Sequence, residues 1–366
     1  MTLKILFITN FDKAGIYSIR PEAEMMLGVK RAGLDVEVMT PRRCHYGDVL
    51  TAAGIRVHDF KPRSKFSWEA VRTIRAVLRE GRHDVVQMFN NPAIVNGVLA
   101  SIGLPVKAVT YRGQTGNIAR WDPVCYFTHL SPRVDRIVCV AEAVRRNLLP
   151  VVYDRRKPVT IHKGHDLAWY AGTKPADLAK LGVPADAFTI ACVSNYRPRK
   201  GVDVLIEAAK ALPPDSRVHF LLIGRGMDGP ELAKLIAESP LRANFHSFGH
   251  RTDVLEIVAA CQATVLASTK REGLPKTVIE SMVHGVAPIV TDTGGSAELV
   301  EEGVSGLVVP AGDVAAMGRA LVAISADAAA AKRMGEAARE RIGRSFRVSD
   351  SVAAHVRLFE DICAAR

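Results

Sequence analysis

The sequence predicts an α/β protein built from two doubly wound, Rossmann-like parallel-sheet domains in tandem. At 366 residues the chain exceeds what one hydrophobic core usually serves, so two domains are the default. Short β-branched or apolar runs alternate with helical patterns, which signals βαβ units. The alternation then restarts in the second half, as an architectural repeat without a shared sequence period. In order, the first half predicts strands at 4–9, 36–39, 85–88, 106–110 and 136–140, with helices running to about 31 and over 68–79. The second half predicts strands at 190–193, 218–223, 244–248, 263–267, 287–290 and 306–309, with a helix over 202–211 and others opening at Pro230 and Pro275. Near the end, Val352, Val356, Phe359 and Ile362 recur at helical spacing and predict one more packed helix over 349–365.

Composition narrows the function classes. No apolar run approaches the roughly 18 residues that span a bilayer, and the first ten residues read as a strand rather than a signal peptide. Residence in the cytoplasm is the expectation. The cysteines Cys44, Cys125, Cys139, Cys192, Cys261 and Cys363 form no C-x-x-C pair, and Cys139, Cys192 and Cys261 sit in apolar runs as inert core residues. No Asp-x-Asp pair is present to hold Mn²⁺ or Mg²⁺ against a diphosphate, so no metal and no other cofactor is expected. Residues 1–170 hold 26 Lys and Arg against 15 Asp and Glu, whereas residues 171–366 hold 23 of each, so the formal +11 belongs to the first half. This basic charge lacks interleaved aromatics or a recognised nucleic-acid motif, which argues against a nucleic-acid partner.

The chemistry concentrates in Glu272-Gly-Leu-Pro-Lys-Thr-Val-Ile-Glu280, two carboxylates eight residues apart. Pro275 suits a first helical turn, where its missing N–H would be an orphan in any case. A helix opening there directs free amides and a positive dipole end forward. With Lys276 in the first turn, the pocket suits a diphosphate, and Glu272 and Glu280 are left to accept hydrogen bonds from flanking hydroxyls. A ligand with hydroxyls on both sides of a diphosphate is a nucleotide sugar. Glu280 lies past the first turn, where dipole stabilisation fades, so a merely favourable helix start does not account for it. Upstream, Ser194-Asn-Tyr-Arg-Pro-Arg-Lys200-Gly201 follows a strand and precedes a helix. Gly224-Arg-Gly-Met-Asp-Gly229 is a G-x-G-x-x-G, yet no acidic residue ends the next strand as a dinucleotide site requires.

These motifs, with the run 281–310 containing Thr-Asp-Thr-Gly-Gly-Ser-Ala-Glu and Glu-Glu-Gly-Val-Ser-Gly-Leu-Val-Val-Pro, resemble the donor-binding half of the GT-B glycosyltransferases. The likeness is to the large retaining family 4, or group 1, which includes phosphatidylinositol mannosyltransferases and lipopolysaccharide core glucosyltransferases. It is specific over 189–313 and mainly architectural over 1–165. The resemblance implies two domains facing across a cleft. Residues 1–168 would bind the acceptor, 169–348 the nucleotide sugar, and the helix 349–366 would pack back on the first domain. It places the boundary near 160–166 and makes 170–184 the connection. Glu280 would then bind the ribose and Glu272 the sugar hydroxyls, with Gly273, Leu274 and Pro275 bringing amides to the phosphates.

The family's Arg and Lys that neutralise the diphosphate correspond to Asn195 and Lys200. Arg197 or Arg199 would have to supply the second charge. Gly224 lets its loop approach the donor, Arg251 after the next strand contacts the nucleoside, and Gly15 fits the first βα glycine loop. Arg112 stands where many relatives carry His; it stays protonated and cannot be a general base, but it could orient or neutralise an anionic group on the acceptor side. His129 and His162 read as structural.

Over 61–82, Trp68, Val71, Ile74 and Leu78 share one helix side and Arg72, Arg75, Arg79 and Arg82 another. This describes a packed helix with a solvated basic face, or one that meets anionic lipid or an acidic glycolipid. The resulting expectation is a retaining, metal-independent transferase with Glu272, Lys200 and Arg197 at the reaction. Its donor would be a nucleotide diphosphate sugar and its acceptor an acidic envelope glycolipid or glycan, with the enzyme cytoplasmic or peripheral on the inner membrane face. A nucleotide-sugar epimerase of the same fold and an inactive donor-binding protein are the alternatives.

Overall fold

The computed structural model describes residues 2–11, 16–62 and 64–364. They form two compact units, Met1–Gly164 with Phe346–Arg366, and His165–Ser345.

Unit 1 runs β1 (Lys4–Ile8), α1 (Ile16–Arg31), β2 (Asp35–Thr40), α2 (His45–Ala52), β3 (Arg56–Asp59), α3 (Trp68–Gly81), β4 (Val85–Met88), α4 (Asn91–Ser101), β5 (Lys107–Arg112), β6 (Arg136–Cys139), α5 (Glu142–Leu148) and β7 (Pro158–Thr160). Its seven strands are all parallel in the order β3-β2-β1-β4-β5-β6-β7. Covering a parallel sheet on both faces demands near-continuous apolar strands, and Ile5, Leu6, Phe7 and Ile8 of β1 are fully buried.

Unit 2 runs β8 (Phe188–Val193), α6 (Val202–Ala209), β9 (Val218–Ile223), α7 (Pro230–Ala237), β10 (Phe245–Gly249), α8 (Val254–Ala259), β11 (Ala263–Leu266), α9 (Lys276–Val283), β12 (Ala287–Thr291), α10 (Ser296–Leu299), β13 (Leu307–Val309), α11 (Val314–Ala326) and α12 (Ala328–Ser345). Its six parallel strands lie in the order β10-β9-β8-β11-β12-β13. Alternate residues serve two cores: Ile190, Cys192, Phe220 and Leu222 face one, with α6 and α11. Ala191, Leu221 and Ile223 face the other, with α8. Strand order reverses between β8 and β11, and open α/β sheets bind ligands beyond the strand ends at such a reversal.

The last helix, α13 (Val348–Ala364), belongs to unit 1 and packs on α1. Its deepest stripe is Ser351, His355, Leu358, Phe359 and Ile362, while Val352 and Val356 are half-buried. The spacing therefore located the helix, but the buried face is turned toward His355, which lies 3.3 Å from Gln87 Nε2.

Several expectations need correction. Residues 170–184, expected as a connection, are part of unit 2: Ala176 N–H donates to the Glu256 carbonyl, and Leu178, Leu181 and Val183 pack under β8. Trp68 does not join the core side of α3, because the helix begins there and leaves the indole 62% exposed; Val71, Ile74 and Leu78 are buried as expected. α2, β3, α4, α5 and β7 in unit 1, and α8, α10, α11 and α12 in unit 2, were not anticipated, since they are short or lack a sharp apolar stripe. His129 is buried with Nδ1 2.9 Å from Thr110 Oγ1, and burial followed by the nearby Arg112 charge pushes its pKa down to about 3. Cys139, Cys192 and Cys261 are buried, and burial pushes each thiol up to about 12.

Candidate active site in the second unit

The loops after β8 and β11 meet at the reversal of the unit 2 sheet. The first makes one 3-10 turn, Pro198–Lys200, and ends at Gly201 in the left-handed region, φ +63°. A Cβ at Gly201 would stand 2.0 Å from the Ala267 carbonyl oxygen, so only glycine lets the two loops touch. Thr269 N–H then donates to the Arg199 carbonyl at 2.9 Å and ties the loops together.

Glu272 is 6% exposed and lies at the centre of this junction. Its Oε1 accepts from Lys200 Nζ at 2.6 Å and from Ser268 Oγ at 2.6 Å, with Arg199 Nη1 3.7 Å away. Burying a carboxylate is tolerated because these charged and neutral donors converge on it. Ser268 is itself held, its carbonyl accepting from Thr291 Oγ1 at 2.5 Å and Thr293 Oγ1 at 2.8 Å. The glycines that follow complete the support. Gly295 N–H donates to the Gly273 carbonyl at 2.7 Å, and Gly294, at φ +58°, lies against the Glu272 backbone. Thr291, Thr293 and Gly294 lie in the Thr-Asp-Thr-Gly-Gly run that carries the resemblance but were given no role there, and Ser268, just after β11, was not singled out.

Pro275 is extended, φ −69° and ψ 117°, and caps α9 rather than entering it; the helix opens at Lys276. Starting the helix one residue later keeps Gly273, Leu274 and Pro275 as a buried approach to it. Lys276 Nζ pairs with Glu280 Oε1 at 2.5 Å, one turn along α9. Glu280 is 5% exposed, and burial raises its carboxyl above the usual value while Lys276 draws it back. A carboxyl raised by folding is cheapest when protonated, so ionised Glu280 lowers stability as pH rises through the carboxylate range. Glu280→Gln is accordingly expected to melt about 2–4 °C higher than the wild type at pH 8, with the difference vanishing below about pH 4. Thermal melts across pH check this, and an unchanged or lower melting temperature at pH 8 would refute it.

The remaining candidates divide into those brought to this junction and those held elsewhere. Arg199 is half-buried and donates to the Arg271 carbonyl at 3.3 Å, whereas Arg197 is exposed and pairs with no described carboxylate. Of the two arginines, Arg199 lies beside Glu272. Asn195 Oδ1 accepts from Arg225 N–H at 3.2 Å, which fastens the β8 loop to the β9 loop. Gly224, at φ +142°, allows that approach, since a Cβ would stand 2.0 Å from the Ser194 carbonyl oxygen. Arg251 is gripped by both carboxylate oxygens of Asp253 at 2.8 and 2.6 Å.

In unit 1, Arg112 ends β5, half-buried, with Nη2 donating to the Gly116 carbonyl; burial lowers its pKa. Gly15 lies outside the described residues. No group of three or more His, Cys, Asp or Glu side chains among the described residues could hold a metal ion.

Two doubly wound all-parallel sheets in one chain define the GT-B fold class. Residues 173–341 match the group 1 glycosyl transferases and residues 23–169 match glycosyltransferase family 4. The chain belongs to this glycosyltransferase family.

Among curated relatives, the lipopolysaccharide core biosynthesis glycosyltransferase LpsE of Rhizobium meliloti is 31% identical over 170 residues, covering 46% of this chain and 49% of the relative. The N-acetyl-α-D-glucosaminyl L-malate synthase of Bacillus anthracis is 24% identical over 228 residues, covering 61% of this chain and 60% of the relative. The chain thus spans about half to three-fifths of the length of these two relatives. A glycosyltransferase from Rickettsia africae superposes with TM-score 0.80 at 20% identity, covering 99% and 98% of the two chains. Anabaena HepE in complex with UDP-glucose superposes with TM-score 0.76 at 20% identity, covering 98% of this chain and all of that one.

Proposed function

We propose that the chain transfers a hexose-type sugar from a nucleoside diphosphate to a hydroxyl of an envelope glycolipid or polysaccharide precursor. Transfer proceeds with retention, without a metal, and at the cytoplasmic face of the membrane. The observation that carries the reading is the convergence of Lys200, Arg199 and buried Glu272 at the strand-order reversal, with Lys276 and Glu280 on the adjoining helix.

In this reading the diphosphate takes the lysine partners now held by carboxylates. Lys200, Lys276 and the amides before α9 oppose the charge that develops on the departing phosphate. Glu272, freed from Lys200, accepts from sugar hydroxyls, and Glu280 accepts from the ribose. Arg199 takes the place of the family arginine at Asn195, with Arg197 reaching from solvent. For retention, the leaving phosphate accepts the acceptor proton on the same face, so no carboxylate nucleophile is needed. The acceptor, acidic and bound to basic unit 1, presents its anionic group to residues such as Arg112. Names of relatives support the class: one acts in lipopolysaccharide core biosynthesis, and a structural neighbour holds UDP-glucose.

The test pairs binding with turnover. Nucleoside diphosphates are screened for a rise in melting temperature, which selective binding to the folded state must produce. Transfer to membrane extract is then followed with radiolabelled sugar nucleotides. Excess EDTA is expected to change the rate less than about twofold, because lysines and helix amides rather than a metal offset the phosphate charge. Loss of activity restored by Mg²⁺ or Mn²⁺ would overturn the metal-free mechanism. Conversion of donor without acceptor would favour an epimerase, and binding without turnover a donor-binding protein.

A further inference from the structure

We propose that Ser268 is a positioning residue for sugar transfer, its hydroxyl aiming Glu272 at the sugar once Lys200 has moved to the phosphates. The inference rests on the donor reading above and gives a part in it to a residue that acts only through Glu272.

Three consecutive residues after β11 hold the junction together. Ala267 sets its carbonyl against Gly201, and Thr269 fastens the Arg199 carbonyl through its N–H at 2.9 Å and its Oγ1 at 3.3 Å. Between them, Ser268 directs its hydroxyl to Glu272 Oε1 at 2.6 Å. One short stretch therefore fixes the cationic loop through its backbone and the acid through a side chain. Neither attachment depends on the ion pair between Lys200 and Glu272.

Ser268 is itself clamped. It is fully buried, and its carbonyl accepts from Thr291 Oγ1 at 2.5 Å and from Thr293 Oγ1 at 2.8 Å. The two threonine hydroxyls lie 3.3 Å apart, so three buried hydroxyl residues form one cluster at the ends of β11 and β12. Parallel pairing of Leu266 with Val290 sets their spacing. A backbone held by two donors fixes where the Ser268 hydroxyl starts, and hence where Glu272 Oε1 is kept.

The two donors on Glu272 Oε1 respond differently to a sugar nucleotide. Lys200 carries a charge that a diphosphate claims, whereas Ser268 is neutral and has no comparable attraction to it. When Lys200 leaves, the charged restraint on Glu272 goes with it. Ser268 keeps Oε1 in place through that exchange, so the carboxylate meets a sugar hydroxyl in the orientation it has at rest. Such placement matters because a shift of about 1 Å at a reacting centre costs up to about a hundredfold in rate.

A hydrogen bond that served burial alone would offset the cost of enclosing a carboxylate whatever the substrate. Its loss would then appear in nucleotide binding and in transfer alike. The aiming role confines the loss to the sugar.

The whole chain is tested with radiolabelled sugar nucleotides and membrane extract for transfer, and with UDP and GDP for thermal shift. Ser268→Ala is expected to lower kcat/KM for transfer about tenfold or more, while the nucleoside diphosphate shift stays within about 1 °C of the parent's. Thr291→Val with Thr293→Val, which releases the Ser268 carbonyl, should lower transfer about threefold or more. Glu272→Asp supplies the decisive background, because its shorter side chain no longer reaches the Ser268 hydroxyl. Adding Ser268→Ala there should change transfer less than about twofold, since the two residues act as one unit.

The same loss in both backgrounds, or a nucleotide shift that falls in step with transfer, would mark Ser268 as structural and overturn the proposal. Undiminished transfer by Ser268→Ala with a normal nucleotide shift would overturn it too, leaving the donor reading intact. A parent protein with neither nucleotide shift nor transfer would instead fault the donor reading, and the positioning role with it.

Discussion

Lys200→Ala is expected to lower sugar transfer at saturating donor by about a hundredfold or more. Removing one group that stabilises developing negative charge typically has that effect on kcat. Two consequences of the geometry make the result diagnostic. Lys200 Nζ is the charged donor nearest Glu272, at 2.6 Å, so its loss leaves a buried carboxylate with Ser268 and a more distant Arg199. A stability cost of about 2 kcal/mol accompanies the loss of activity, below the full penalty for an orphaned buried charge because those partners remain. Glu272→Ala should also abolish transfer, yet it releases Lys200 rather than stranding a charge. Measuring kcat alongside urea melts separates the two effects, and full activity in both variants would sink the site assignment.

Gly201→Val is expected to be the most damaging single change at the site, lowering stability by about 4 kcal/mol or more. A β-branched residue at φ +63° is strained wherever it stands. Here its Cβ would also meet a backbone carbonyl at 2.0 Å, which cannot swing away as a side chain could. The loops after β8 and β11 would separate, taking Lys200 from Glu272. Gly172→Ala is the control, because a Cβ there meets nothing within 4 Å. Urea melts should find the control within about 0.5 kcal/mol of the parent. A Gly201→Val protein of parental stability would show that the loop contact is dispensable.

The fold was legible because parallel sheets write themselves as buried apolar runs, and β9 and β12 were recovered nearly to the residue. Short elements such as β3, β7 and α2 escaped because they carry no clear period, and the longer α4, α11 and α12 escaped because α4 is buried nearly all round and α11 and α12 are rich in alanine. The linear motif 272–280 disclosed the acids but not their neighbours. Ser268, Thr291 and Thr293 act through a carbonyl and hydroxyls that come together only when β11 and β12 pair. Charge pairing was equally hidden. Nothing in one-dimensional spacing says that Arg199 rather than Arg197 turns toward Glu272, because one 3-10 turn decides it.

Glu272 and Glu280 each hold a lysine. On the proposed reading, these carboxylates are tethered rivals of any incoming anion, present at an effective concentration that free phosphate in solution does not match. An anion that only displaces them strands two buried acids, whereas a ligand that also offers hydroxyls gives each acid a new partner. On that reading inorganic phosphate, which brings no hydroxyl-bearing sugar, competes poorly for the two lysines, and the pocket opens these charges to a molecule that brings both halves of the exchange.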